Sequence, residues 1–326
     1  MRVAAMLVVL GVGSAAAADF AMPGGPEPRH LDETFTQLRR DPYDIELLLS
    51  YGTSKGGSAG HVALAVRGEL PGDDLVYSAN FYADRDDEHA KSRYVDDLIV
   101  RVPKKEYLYG TRSTLGARAA FGLDYGEVYK RTVVGVRVAG VPERDRKQVV
   151  AYLESMNADF HARARDTEYE AGEVKYGYTG LNCAKTIGSA FHYGAGYRDV
   201  SIRRAPRLGV RVVARALNAN TPSEMAEQLL RAFKSRGYAM DAVVYLKYPD
   251  SRYVDPLEDE PIAYANLPNR FPSVISLDFV NDDAAYEDPD NVRAMALLRS
   301  LVRYRVVVDE THALAIERND PQRRSP

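Results

Sequence analysis

Cysteine is almost absent from this chain of 326 residues: Cys183 is the only one, and tryptophan is missing altogether. One cysteine cannot form an internal disulfide, and it excludes zinc sites built from several cysteines. Three interpretations of Cys183 stay open: an inert core thiol, half of an intermolecular disulfide, or a nucleophile. The histidines show no metal-ligand spacing, so we expect no metal site.

The chain also lacks an excess of positive charge, since 43 Lys and Arg residues stand against 46 Asp and Glu residues. Generic nucleic-acid binding depends on such an excess, so we expect no nucleic-acid partner. A local cluster of six arginines between Arg198 and Arg215 could meet phosphate or anionic lipid headgroups, but a solvated surface is the simpler interpretation. The fractions of hydrophobic and charged residues, 45% and 27%, are those of a folded protein.

Long hydrophobic runs are absent after residue 18. Residues 1–18 begin with Arg2, continue with an apolar run from Val3 to Val12 and end in small residues, which is typical of a signal peptide cleaved after Ala18. The apolar run is too short for a membrane span. We therefore expect a periplasmic or secreted protein with no transmembrane segment, whose contact with a membrane would be peripheral.

The hydrophobic pattern predicts an α+β fold. We expect an extended lead-in over residues 19–43, a domain over 44–215, and an additional C-terminal α/β segment over 216–326 with a frayed tail. Short segments rich in apolar residues predict strands over residues 45–49, 61–66, 74–80, 97–102, 132–138, 242–246 and 274–280. Helical spacing and capping signals predict helices over residues 143–160, 183–194, 221–233 and 289–302, with a long loop over 249–272.

Two residues, Cys183 and His61, occupy positions that favour a catalytic role. Cys183 follows Asn182 at a predicted helix N-terminus, where unpaired N–H groups and the helix dipole lower the pKa of a thiol. The same amides can hold the oxyanion of a tetrahedral intermediate. His61 opens a strand after a Gly-rich loop, which can hold an imidazole rigidly beside a cleft. The loop lacks the Gly-Lys-Ser/Thr ending of a phosphate-binding loop and precedes a strand, so nucleotide binding is not expected.

These elements resemble a bacterial periplasmic family named after a lipoprotein N-acyltransferase of Bacteroidota. The resemblance rests on the strand at Ile45, the Gly60-His61 pair that opens the next strand, and the Asn182-Cys183 pair after a tyrosine-rich turn. It covers roughly residues 45–195. The order His-then-Cys is also similar to that of circularly permuted papain-like (NlpC-type) proteins, which include the lecithin:retinol acyltransferase group.

The resemblance implies a permuted papain-like thiol domain in which Cys183 is the nucleophile and His61 the general base. The third, orienting group of such sites usually comes from the strand after the histidine. That strand offers Tyr77, Ser78 and Asn80, and we choose Asn80 because its amide oxygen can accept the imidazole N–H. The cleft-lining candidates are Asn182, Tyr178 and Tyr77, although packing is the simpler role for Tyr178.

The expected reaction is thiol-dependent breakage or transfer of an acyl group on a lipid or lipoprotein, for which no organic cofactor is needed. A cell-wall peptide is the alternative substrate, as the wider superfamily implies. The alternative outside enzymology is a periplasmic binding or scaffold module in which Cys183 is merely buried.

Overall fold

Eight strands dominate the structure, a computed structural model that describes residues 28–51, 60–80, 83, 96–110, 132–177, 180–203, 220–247 and 296–319. The strands are β1 (Ile45–Tyr51), β2 (Gly60–Leu70), β3 (Asp73–Ala79), β4 (Ile99–Pro103), β5 (Val133–Ala139), β6 (Ala239–Tyr245), β7 (Val302–Val308) and β8 (Leu314–Arg318). They form one mixed sheet in the order β4-β3-β2-β1-β5-β6-β7-β8. Neighbouring strands are antiparallel except for the parallel pair β6–β7.

Within the described residues, the helices on this sheet are α1 (Leu31–Leu38), α2 (Lys104–Tyr109), α3 (Glu143–His161), α4 (Cys183–Ser189) and α5 (Pro222–Ser235). A π-helical turn, Ala190–Gly194, continues α4, and residues 296–301 are helical. Helix α5 begins where the sequence predicts, because the Thr221 side chain accepts the Glu224 N–H as an N-cap. Within the described chain, no helix is both long and apolar enough to cross a membrane.

The central strands are buried on both faces, so their side chains divide between two cores. The first core lies between one face of the sheet and helices α3, α4 and α5. The second core lies on the other face, under α1 and α2 and against β7 and β8. Successive residues of a strand point to opposite faces, so β1 contributes side chains to both cores. This explains why its sequence is a nearly continuous apolar run.

The α+β class is confirmed, together with most predicted strands and with the helices at Glu143, Cys183 and Thr221. The permuted papain-like topology stays a prediction. Strands β6, β7 and β8 continue the same sheet as β1 to β5, so the C-terminal segment completes this layer. The expected boundary near residue 215, the signal peptide, the loop over 249–272 and the strand over 274–280 lie outside the described residues.

The extended lead-in over residues 19–43 is wrong in its second half, because α1 occupies Leu31–Leu38. Leu31, Phe35 and Leu38 recur at helical spacing, and Phe35 and Leu38 are buried in the second core. The acidic residues of the first turn suit the positive end of the helix dipole. The Pro and Gly residues that suggested an extended segment all precede this helix.

Beneath α2, the second core holds a buried group of charges. Lys104 at the start of α2 forms an ion pair with Glu46 of β1, and its Nζ lies 3.5 Å from Oδ2 of Asp74. The Tyr245 hydroxyl donates to Glu46 Oε1 at 2.8 Å. Burial alone would lower the pKa of Lys104, but the Glu46 carboxylate holds that pKa well above its usual value. This cluster ties β1, β3, β6 and α2 together across the sheet.

Gly135 on β5 makes room for this cluster, since a Cβ there would lie 1.8 Å from Glu46 Oε1 and 2.7 Å from the Tyr245 ring. We expect Gly135→Ala to lower the free energy of unfolding by about 1–3 kcal/mol. The added methyl group would displace the Glu46 carboxylate, which would then lose its contacts with Lys104 and Tyr245. Urea denaturation measures this. Gly177→Ala is the control, since its nearest neighbour would be 3.8 Å away. Equal stability of the two variants would contradict the close packing.

Candidate active site

Cys183 begins α4 at a tightly built helix terminus. The side chain of Asn182 accepts the Lys185 N–H at 2.9 Å, which makes it the N-cap of the helix. Its amide nitrogen donates to the Asn220 carbonyl at 2.8 Å. Both ends of the Asn182 side chain therefore bind the protein, and its structural role is to fix where the helix starts. The predicted role of Asn182 in a cleft stays a prediction.

The thiol itself lies in the first core, where Cys183 is 3% exposed. Farther along the same helical segment, Phe191 faces Ile45, Leu64 and Val66 around a small apolar pocket. The nine residues from Cys183 to Phe191 span about 12 Å of helix. This is shorter than the buried part of β2, since the seven residues from Gly60 to Val66 extend over about 20 Å.

Helix α4 lies over the buried part of the sheet. It packs against β2 and β3 and is buried along its whole length. The last residues of β2, from Arg67 to Leu70, are half-buried or exposed. Phe191 and Val66 line the same small apolar pocket, so the end of this helical segment lies near the Val66 part of β2.

Sequence reasoning missed a buried ion pair beside the thiol. Lys185, two residues after Cys183, is 1% exposed, and its Nζ lies 3.0 Å from Oε2 of Glu170. The loop that leads into α4 passes close to this carboxylate, since a Cβ on Gly180 would be 3.4 Å from it. Lys185 therefore connects α4 to the segment before it. The partners are 15 residues apart, and no local pattern indicates such a pairing.

His61 is also buried, at 4% exposure, directly after Gly60 with its positive φ of 89°. Its Nε2 lies 2.8 Å from the hydroxyl of Ser78, a residue of β3 that is fully buried. A hydroxyl at this distance restricts the rotation of the ring and can select its tautomer. The sequence offered Ser78 as one of three orienting groups, and its hydrogen bond with the ring is the contact that the structure gives.

The alternation of β2 assigns the imidazole and the thiol to different faces of the sheet. Val62, Leu64 and Val66 of β2 enter the first core, whereas Ala63 and Ala65 enter the second. His61 alternates with the two alanines, and its partner Ser78 belongs to the same face. Cys183 lies in the first core. The two side chains therefore start from opposite faces of β2, and the Cys183–His61 dyad stays a prediction.

Asn80, the predicted orienting residue, connects β3 to the start of β4. Its backbone N–H donates to the Leu98 carbonyl at 2.7 Å, and its side-chain amide donates to the Asp97 carbonyl at 3.0 Å. Tyr77 points into the first core, is 2% exposed, and has a pKa raised by burial to about 12. Both are packing positions in this structure. Tyr178 lies outside the described residues.

A second polar cluster supports this end of the sheet. Asn157 of α3 accepts the N–H groups of Leu98 and Ile99 through its side-chain oxygen, at 2.9 and 3.0 Å. Its amide donates to Asp97, whose carboxylate also lies 2.9 Å from His161 Nε2. Burial would raise the pKa of Asp97, but these hydrogen bonds hold it below its usual value. Among the residues that the structure describes, no group of three His, Cys, Asp or Glu could hold a metal ion.

Comparisons with known proteins add no relative. No protein-family model matches the chain, and no curated protein or solved structure gives a significant match. The resemblance carried by the Gly60-His61 and Asn182-Cys183 pairs therefore rests on the sequence motifs alone.

The helix terminus can be tested through its cap. We expect Asn182→Ala to lower the free energy of unfolding by about 1–2 kcal/mol, because the Lys185 N–H and the buried Asn220 carbonyl both lose a partner. Thr221→Ala, which removes the cap of α5 and leaves α4 intact, is the matched control, with an expected loss of about 1 kcal/mol. Chemical denaturation compares them. A neutral Asn182→Ala would show that the cap does not hold this terminus.

Proposed function

We propose that this protein is an exported thiol-dependent enzyme that breaks or transfers an acyl group of a lipid or lipoprotein. The observation that supports it best is the capped start of α4, a helix that packs on the strand carrying His61. Cys183 is the first residue of α4 behind the Asn182 cap, and His61 is the second residue of β2. A thiol at a helix N-terminus and an adjacent imidazole are the minimal equipment for acyl transfer.

The chemistry follows from the position of each group. His61 takes the proton of the Cys183 thiol, and the sulfur attacks the acyl carbonyl carbon. The N–H groups of the first turn of α4 stabilise the oxyanion that forms. When the intermediate collapses, the imidazolium returns the proton to the departing alcohol or amine, leaving a thioester on Cys183. Water or an acceptor amine or alcohol then attacks the thioester, which gives hydrolysis or transfer.

Two features of the fold favour this use of the thiol. The Asn182 cap and the Lys185–Glu170 ion pair fix the start of α4 from both sides, so the sulfur is held in one place. Preorganised donors lose no free energy to rearrangement during the reaction. The positioning of the thiol therefore does not depend on substrate binding.

A second candidate is a non-catalytic binding or scaffold module with a buried cysteine. The alternation of β2 favours it, because His61 shares the face of the second core while Cys183 is 3% exposed in the first. In that case the thiol acts as a small apolar side chain and the His61–Ser78 hydrogen bond satisfies a buried imidazole.

The two candidates differ in how the thiol reacts. Because the chain has one cysteine, the alkylation rate with iodoacetamide reports Cys183 directly. If His61 activates the thiol, its apparent pKa lies below the ordinary value of about 8.5, and His61→Ala slows alkylation near pH 6.5 by about tenfold or more. His161→Ala, which removes a half-exposed imidazole on α3, is the control and should leave the rate unchanged. Equal rates in all three proteins across pH favour the non-catalytic module.

A further inference from the structure

The hydrogen bond between His61 and Ser78 is an unusually well protected contact. Nε2 of the ring and Oγ of Ser78 are 2.8 Å apart, with the histidine 4% exposed and the serine fully buried. Water therefore has little access to this hydrogen bond and cannot readily replace either partner. The hydroxyl can accept from a ring N–H or donate to a bare ring nitrogen, and in either case the bond fixes the orientation of the ring.

The register of the sheet keeps this pair together. Leu64 stands opposite Tyr77 in the antiparallel pair β2–β3, so Ser78 faces Ala63, the preceding residue of β2, and lies diagonal to His61. Diagonal neighbours on one face of an antiparallel pair are within reach of a long side chain. The pairing is thus built into the strands and needs no loop to form.

We infer that Ser78 is the residue that positions the His61 imidazole, by accepting the Nε2–H and leaving Nδ1 as the basic nitrogen. This inference rests on the proposed function and deepens it. In the acyl-transfer step Nδ1 takes the Cys183 proton and later delivers it to the leaving group, while the Nε2–H stays with Ser78 throughout. Ser78 is a positioning residue, because it acts on the reaction only through the ring.

Asn80, by contrast, is bound to the neighbouring strand. Its side-chain amide donates to the Asp97 carbonyl and its backbone N–H to the Leu98 carbonyl, so Asn80 fixes the entry to β4. A neutral hydroxyl also differs from a carboxylate, since it orients the ring without adding a negative charge beside it. We therefore expect Ser78 to control the tautomer of His61 more than its basicity.

The test reads the tautomer directly. Long-range nitrogen–proton NMR correlations of ¹⁵N-labelled full-length protein, with His61→Ala to assign the signals, should show the Nε2–H form of His61 in the wild type. Ser78→Ala should shift the population toward the Nδ1–H form. Ser78→Thr, which keeps a hydroxyl and suits a strand, should restore the wild-type pattern, and Asn80→Ala should leave it unchanged.

The outcomes separate this inference from the proposed function. An unchanged His61 tautomer in Ser78→Ala overturns the positioning role, whatever the reactivity of the thiol. A shift of the His61 tautomer in Asn80→Ala equal to that in Ser78→Ala also overturns the positioning role, because the shift would not be specific to loss of the Ser78 hydroxyl. If Ser78→Ala shifts the tautomer while Ser78→Thr and Asn80→Ala keep it, the inference is supported. The His61→Ala alkylation rate then decides separately whether the oriented ring serves Cys183.

Discussion

The double burial of β2 is the constraint on which the candidate site depends. A strand covered on both faces directs successive side chains into two separate cores. A shift of one residue in its pairing register would therefore move every side chain of the strand to the opposite core. His61 and Ser78 belong to one face and Cys183 packs on the other. A Cys183–His61 dyad therefore requires the thiol and the imidazole to approach each other from opposite faces of β2.

Buried polar contacts hold this arrangement on each side of the sheet. On the second-core face the Lys104–Glu46 ion pair joins α2 to β1. On the first-core face the Lys185–Glu170 pair joins α4 to the loop before it. Removing one partner of such a pair leaves a charge in a low-dielectric interior, so these contacts specify the packing strongly even where their net contribution to stability is small.

Local sequence patterns predict much of the fold. The apolar run at Ile45 and the cap at Thr221 predict their elements, because the signal lies within a few neighbouring residues. Helix α1 was missed since the prolines and glycines upstream dominated the interpretation of residues 19–43. The strand at Val302 was missed although its residues alternate, because the preceding segment had suggested a helix up to that point.

The candidate site was less predictable than the fold. Cys183 and Asn182 could be placed at a helix start, since capping is local. The choice of Ser78 over Asn80 depends on the register between β2 and β3, which neither strand encodes alone. The pairing of Lys104 with Glu46 joins residues 58 positions apart in the chain. Contacts of this kind depend on which strands and helices the fold brings together, so local sequence patterns do not predict them.

The most direct test is to trap the acyl intermediate on Cys183. Wild-type protein and Cys183→Ala are incubated with a lipoprotein, a phospholipid and a muropeptide, and the intact mass and peptide map are recorded after rapid acid quenching. We expect a thioester of the lipid acyl chain on Cys183 in the wild type and none in the variant. Wild-type protein that stays unmodified by every substrate, or that carries adducts only at other residues, would contradict it.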